Sequence, residues 1–164
     1  MAGRLAGIAR RDRPRGDIER VAHARVSRAE GVARDFRGAL AAKKSNYRRQ
    51  VSLMEAEAWA AALKDLPRAD LHGDGPLLDD KAWWRRRANL LVEGLRLPRA
   101  EGTRIRIGAQ CLLQVTTECD PCPRMEEVAP GLEAALTPDW RGGFMAKVLE
   151  DGDIAVGDSV RIEQ

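Results

Sequence analysis

Residues 149–162, LEDGDIAVGDSVRI, decide the fold class. Asp151-Gly152 stands between the run FMAKVLE (144–150) and the run IAVGDSVRI (154–162). An Asp-Gly pair between two such runs predicts a β-hairpin, because tight hairpin turns need residues that tolerate positive φ. Working outward, TRIRIG (103–108) alternates polar and apolar residues with period two, as a half-buried strand does, and CLLQVTT (111–117) follows it. RLAGIA (4–9), IERVAHARV (18–26), RQVSLM (49–54) and ANLLVEGL (88–95) are further short β-like runs, punctuated by Gly, Pro and Asp.

Helical signals are fewer. Ser52 and Glu55 have capping-box spacing ahead of AEAWAAAL, which predicts a helix over about 53–64. Pro130 suits the first turn of a short helix through GLEAAL, stopped by Thr137-Pro138. Residues 67–80, PRADLHGDGPLLDD, read as a long loop. The expectation is a mainly β fold with peripheral helices, a closed β-barrel, in a single domain over 1–164.

Composition narrows the function. With 44% hydrophobic and 32% charged residues the chain has the make-up of an ordinary globular protein. No stretch approaches the ~18 apolar residues of a membrane span, and the N-terminus lacks the apolar core of a secretory signal. Three cysteines, an odd number, argue against a disulfide framework and for a reducing compartment, so a cytoplasmic location is expected. Residues 1–50 carry 14 Lys/Arg against 5 Asp/Glu, although the whole chain is only +3. Such a basic segment meets an anion or forms a solvated surface. With only Phe36 and Tyr47 as aromatics there, it offers little stacking for nucleic acid.

The motif VTTECDPCPRMEE (115–127) holds Cys119 and Cys122 in a C-x-x-C. A structural zinc site wants four ligands in pairs, and Cys111, His23 and His72 are scattered. A redox dithiol belongs to a strand–helix crossover, not to a run of hairpins. A third reading is one reactive thiolate, Cys122, beside Arg124 at a turn. The plain alternative is a buried small hydrophobe, which suits Cys111 within QCLLQV, suits Cys119 as well as a working role does, and is less natural for Cys122 between two prolines. A reactive thiolate suits a soft or high-valent transition metal, or carries sulfur as a persulfide. Upstream, Arg87 and Asn89 would share one face of an extended chain and suit a phosphate or a heterocycle edge. Arg48 and Arg49 precede QVSLM and either bind an anion or flank a strand.

In their order, GRLAGIARR, GVARDF, RQVSLM, RRANLLVEGL, IRIGAQCLLQVTTECDPCPRM and VGDSV resemble the MOSC family, named for molybdenum-cofactor sulfurase C-terminal domains, as a small stand-alone member of bacterial type. The resemblance spans nearly the whole chain and implies a β-barrel that binds a molybdenum cofactor of the molybdopterin type in a basic cleft. It implies Cys122 as molybdenum ligand, and Arg87 and Asn89 as cofactor contacts. It places Arg48 and Arg49 near a second contacting loop, and Asp120 at a contact through its backbone. The activity implied is two-electron reduction of a small N-hydroxylated compound, the oxygen leaving as water. Three cysteines cannot ligate a plant-type iron–sulfur cluster and no dinucleotide fingerprint is present, so an external electron donor is expected. The alternatives are a sulfur carrier, with a persulfide on Cys122 supplied by a cysteine desulfurase, and a non-catalytic accessory module that docks an anionic partner.

Overall fold

The structure, a computed structural model, describes residues 1–43, 47–66 and 82–164. Its strands are β1 (Ala2–Arg10), β2 (Glu19–Val21), β3 (His23–Ser27), β4 (Gly31–Val32), β5 (Val51–Glu55), β6 (Leu90–Glu93), β7 (Arg104–Ile107), β8 (Cys111–Glu118), β9 (Phe144–Glu150), β10 (Gly152–Ala155) and β11 (Ser159–Glu163). Seven of them run in the order β11-β7-β8-β9-β5-β6-β1, and β1 pairs back onto β11 with Gly3 opposite Val160. This closes a barrel, which leaves no exposed sheet edge around its wall. β5 and β6 pair in parallel, whereas the other barrel pairs are antiparallel. The expected mainly β barrel with peripheral helices is therefore the fold.

The predicted Asp151-Gly152 hairpin is not formed. β9 pairs with β5 and β8, while β10 leaves the barrel to pair with β3 in a small sheet ordered β10-β3-β4. A tertiary demand overrides the turn signal. Gly152 lies so close to β8 that a Cβ would stand 2.5 Å from the Cys111 nitrogen, and Asp151 Oδ1 accepts the Arg28 N–H at 2.7 Å. The run 18–26 likewise divides: β2 pairs with the C-terminal end of β1 and β3 joins the small sheet.

Alternation along the strands makes two cores. Leu5, Leu53, Leu90, Val92, Leu113 and Phe144 fill the barrel, and Val26, Val32 and Ile154 of the small sheet pack on that same core. The opposite faces of the same strands present Ala9, Met54 and Leu91 outward, against helices α2 (Ala56–Lys64), α3 (Met125–Val128) and α4 (Leu132–Leu136). Trp59, Trp83, Met125 and Leu136 fill that outer layer, each large buried side chain contributing about 1.5–3 kcal/mol. α1 (Phe36–Lys43) lies apart from this layer, beside β4. Among the described residues no helix is long and apolar enough to cross a membrane.

The helix expected over 53–64 begins at Ala56, and the capping box does not form. Ser52 and Glu55 both lie in β5 with their side chains engaged elsewhere. The Ser52 hydroxyl donates to Asn89 Oδ1 at 3.2 Å, and the Glu55 carboxylate takes the Leu97 N–H at 2.6 Å and both Arg99 Nη atoms at 2.6 and 2.8 Å. The short helix expected around GLEAAL is α4, with Thr137 just beyond its end. The loop expected at 67–80 lies outside the described residues.

Candidate functional site

A cavity of about 540 Å³ opens where the loop after β1, the start of α1, the turn before β5, the approach to β6 and the loop after β8 converge. Cys119 follows the last residue of β8, its N–H donating to the Gly143 carbonyl at 2.9 Å. Pro121 and Pro123 then break the strand, and the Met125 N–H donates to the Cys122 carbonyl at 2.9 Å as the chain enters α3. Cys119 is buried and Cys122 exposed, and both line the cavity. Cys111 belongs to the barrel core, where burial pushes its thiol up to about 12. The C-x-x-C therefore presents one accessible thiol.

Seven arginines and one carboxylate, Asp120, line this cavity. Arg86 is spent on structure. The other six, Arg11, Arg15, Arg37, Arg49, Arg87 and Arg124, form no ion pair with a carboxylate among the described residues. Elsewhere Arg99, Arg106 and Arg141 hold Glu55, Glu163 and Asp65 at 2.5–2.6 Å. The clustered cations repel one another. Burial, then the charges of Arg87 and Arg37, pull Arg11 down to about 10, with Asp35 offsetting part of this. Arg37 is lowered by burial and then by Arg49. Arg49 Nε is a buried donor with no hydrogen-bond partner among the described residues, which is rare in a native fold and marks a place for an acceptor. The Arg11 and Arg37 guanidiniums both lie over the Phe36 ring, 5.2 and 5.5 Å from its centre.

Cys122, Arg87, Arg49 and Asp120 thus meet in one cavity, whereas Asn89 and Arg48 do not line it. Arg87 is not in an extended chain: it has φ 70 and ψ 24, the left-handed conformation, directly after the 3-10 turn Trp83–Arg86. Asn89 precedes β6 and points inward. Its Oδ1 accepts the Ser52 N–H at 3.0 Å and the Ser52 hydroxyl, and its Nδ2 donates to the Ala9 carbonyl at 3.1 Å. Nearby, burial raises the Asp35 carboxyl against the opposing pull of the Arg11 N–H and of Asn89. Asn89 therefore ties β1, β5 and the Arg87 turn together beneath the cavity. Arg48 is exposed, and its carbonyl accepts the Thr116 hydroxyl. Asp120 is at the rim, and with burial it helps raise the Glu118 carboxyl.

Arg11, Arg37, Arg86 and Phe36 escaped the reading of the sequence. Arginine is common throughout residues 1–50, and only the fold shows which guanidiniums lack a carboxylate. A second cavity of about 590 Å³ shares Arg11 and Phe36 with the first and has Asp17, Glu30 and Asp35 in its wall.

A family model for the MOSC domain matches residues 24–161. Among solved structures, the YuaD protein from Bacillus subtilis superimposes with a TM-score of 0.72 at 21% identity, over 98% of this chain and 94% of that one. YiiM from Escherichia coli gives 0.63 at 14% identity, covering 98% and 70%. YiiM from Geobacillus stearothermophilus gives 0.64 at 16%, covering 99% and 75%. At these identities the likeness is one of fold. No curated protein matches the chain.

Proposed function

The chain belongs to the MOSC domain family, and from that membership we propose that it binds a molybdenum cofactor of the molybdopterin type in the arginine-lined cavity, with Cys122 as the molybdenum ligand, and reduces N-hydroxylated compounds. One observation carries the reading: six guanidiniums without carboxylate partners among the described residues share a cavity with an exposed thiol. A pterin that ends in a phosphate dianion fits this donor set, because planar guanidinium forks match phosphate oxygens and the unmet Arg49 Nε needs an acceptor. A thiolate fits molybdenum as a soft donor. Among the described residues no group of three or more His, Cys, Asp or Glu side chains is placed to hold a metal ion, so a metal at Cys122 would bring further ligands of its own.

When bound, the cofactor would supply the two-electron chemistry that cleaves the N–O bond, the oxygen leaving as water and an external donor restoring the electrons. The chain's part is binding and orientation. Arg87 at its left-handed turn, with Arg11, Arg37 and Arg49, would hold the phosphate. Asn89 would position Arg87 from below and not touch the cofactor, its amide being engaged internally. Arg48 would support the turn that carries Arg49, and Asp120 would contribute backbone at the rim. The second cavity, which shares Arg11 and Phe36 with the first, would give a small-molecule substrate room next to the cofactor cavity.

The test is turnover. Protein made in a host that synthesises the cofactor should oxidise a reduced viologen when given an N-hydroxylated amidine, and Cys122→Ser should abolish this. A cofactor-loaded wild type that is inert toward hydroxylamines, amidoximes and N-hydroxyguanidines would refute the reductase assignment. A second reading rests on the exposure of the same thiol: Cys122 carries a persulfide received from a cysteine desulfurase. Sulfane sulfur on Cys122 in protein without molybdenum would favour it.

A further inference from the structure

Arg85, Arg86 and Arg87 are one run in the sequence, yet Arg86 and Arg87 have separate tasks in the fold. Arg86 is 5% exposed, and no described carboxylate pairs with it. A buried guanidinium is strongly unfavourable unless its donors are met. Here they are met by backbone oxygens of two chain segments. Nε donates to the Gly142 carbonyl at 3.0 Å, and Nη2 donates to the Cys119 carbonyl at 2.9 Å and reaches the Asp120 carbonyl at 3.4 Å. The same Nη2 lies 3.5 Å from Cys119 Sγ. Gly142 makes the approach possible, since a Cβ there would stand 2.6 Å from the Cys119 oxygen and 3.2 Å from Nη2.

We infer that Arg86 is the positioning residue of the cysteine loop: its fork fixes Cys119 and Asp120 against Gly142, so that Cys119 faces inward and Cys122 stands out in the cavity. Because Arg87 is the next residue and lines the same cavity, the device ties the thiol loop to the guanidinium cluster through one peptide bond. Lysine cannot replace it fully, as a single ammonium does not span two carbonyls as a planar fork does. The inference deepens the proposal above, since Cys122 is the thiol invoked there, but it concerns only the chain's own atoms.

The test therefore needs no cofactor. Native protein purified without it is alkylated with N-ethylmaleimide, and the rate at each cysteine is read by peptide mass spectrometry. In the wild type Cys122 reacts while Cys119 and Cys111 are protected. In Arg86→Ala the Cys119 rate rises by about tenfold or more, the factor that a lost charge-assisted hydrogen bond makes in an opening equilibrium. Cys111 stays protected, which reports an intact barrel. Guanidinium ion at millimolar concentration restores Cys119 protection in Arg86→Ala, and methylammonium at the same concentration does not. Should Cys111 also become reactive in Arg86→Ala, Arg86→Lys carries the test, with Cys119 labelled faster than in the wild type behind a protected Cys111. A folded Arg86→Ala or Arg86→Lys whose Cys119 is as protected as in the wild type overturns the inference, and so does failure of guanidinium to rescue. A wild type that shows this labelling pattern but binds no molybdenum overturns the cofactor proposal alone.

Discussion

Arg11→Met should stabilise the ligand-free protein and weaken its hold on anions. Arg11 is 8% exposed, and its pKa is lowered from the ordinary guanidinium range to about 10, through burial first and then through Arg87 and Arg37. A base with a folded pKa below its unfolded one is charged at the expense of the folded state. The penalty is present in full below about 10 and disappears as pH rises toward the ordinary guanidinium value. At neutral pH the drop corresponds to roughly 3 kcal/mol at most, less whatever solvent in the cavity screens. Against this, the guanidinium 5.2 Å from the Phe36 ring centre contributes about 0.5–1 kcal/mol. Methionine keeps much of the packing of the aliphatic stem. The net expectation is a gain of about 1–2 kcal/mol, read as a higher urea midpoint with unchanged slope. Inorganic pyrophosphate then reverses the order. A ligand at a hundredfold excess over its Kd stabilises by about 2.7 kcal/mol, and the variant, with one cation fewer, gains less. A variant less stable than wild type without anion would refute the reasoning, because Arg11 would then be held by net attraction and the cluster would not be a set of repelling cations.

Three more outcomes follow from the same contacts. Glu55→Gln leaves Arg99 without its bidentate partner and weakens the bond from the Leu97 N–H, so urea unfolding should show a loss of about 3 kcal/mol. Gly38→Ala places a Cβ 2.1 Å from the Glu30 carbonyl oxygen; overpacking there costs about 1–3 kcal/mol and shifts α1, so both stability and pyrophosphate affinity should fall as Phe36 and Arg37 move. Asp35 is an acid raised by burial, so its contribution to stability declines as pH rises from 3.8 through the folded pKa, and the deficit persists at neutral pH. Asp35→Asn keeps an oxygen for the Arg11 N–H and should flatten that decline in a pH series of urea melts; an unchanged series would show that the carboxyl is not titrating there.

What the sequence made legible follows from the range of the forces involved. Strand runs such as 103–108 and 111–117 were readable because period-two alternation is local and both sit in one antiparallel pair. Closure by β1 on β11 was not readable as a pairing, since it joins Gly3 to Val160. The Asp-Gly signal at 151–152 and the Ser52–Glu55 box were both real local preferences that lost to distant partners: Cys111 for Gly152, and Asn89 and Arg99 for the box. At the site, the accessible thiol at Cys122 could be picked out by its flanking prolines and the buried one at Cys111 by its apolar run. The arginines could not be sorted. Whether a guanidinium has a carboxylate partner among the described residues, as Arg99 does, or has none there, as with Arg11, depends on carboxylates far away in sequence. Arg86 and Arg87 are neighbours with separate roles because Arg87 itself is left-handed and turns the chain at the end of the 3-10 turn.

The most direct test of the account is the molybdenum and pterin content of wild type and Cys122→Ser protein expressed in a host that loads a control molybdoenzyme. Near-stoichiometric molybdenum and pterin in the wild type, with molybdenum lost from Cys122→Ser and pterin lost when Arg87 and Arg11 are both replaced, is the predicted result. A wild type that contains neither, while the control enzyme is fully loaded, would contradict it.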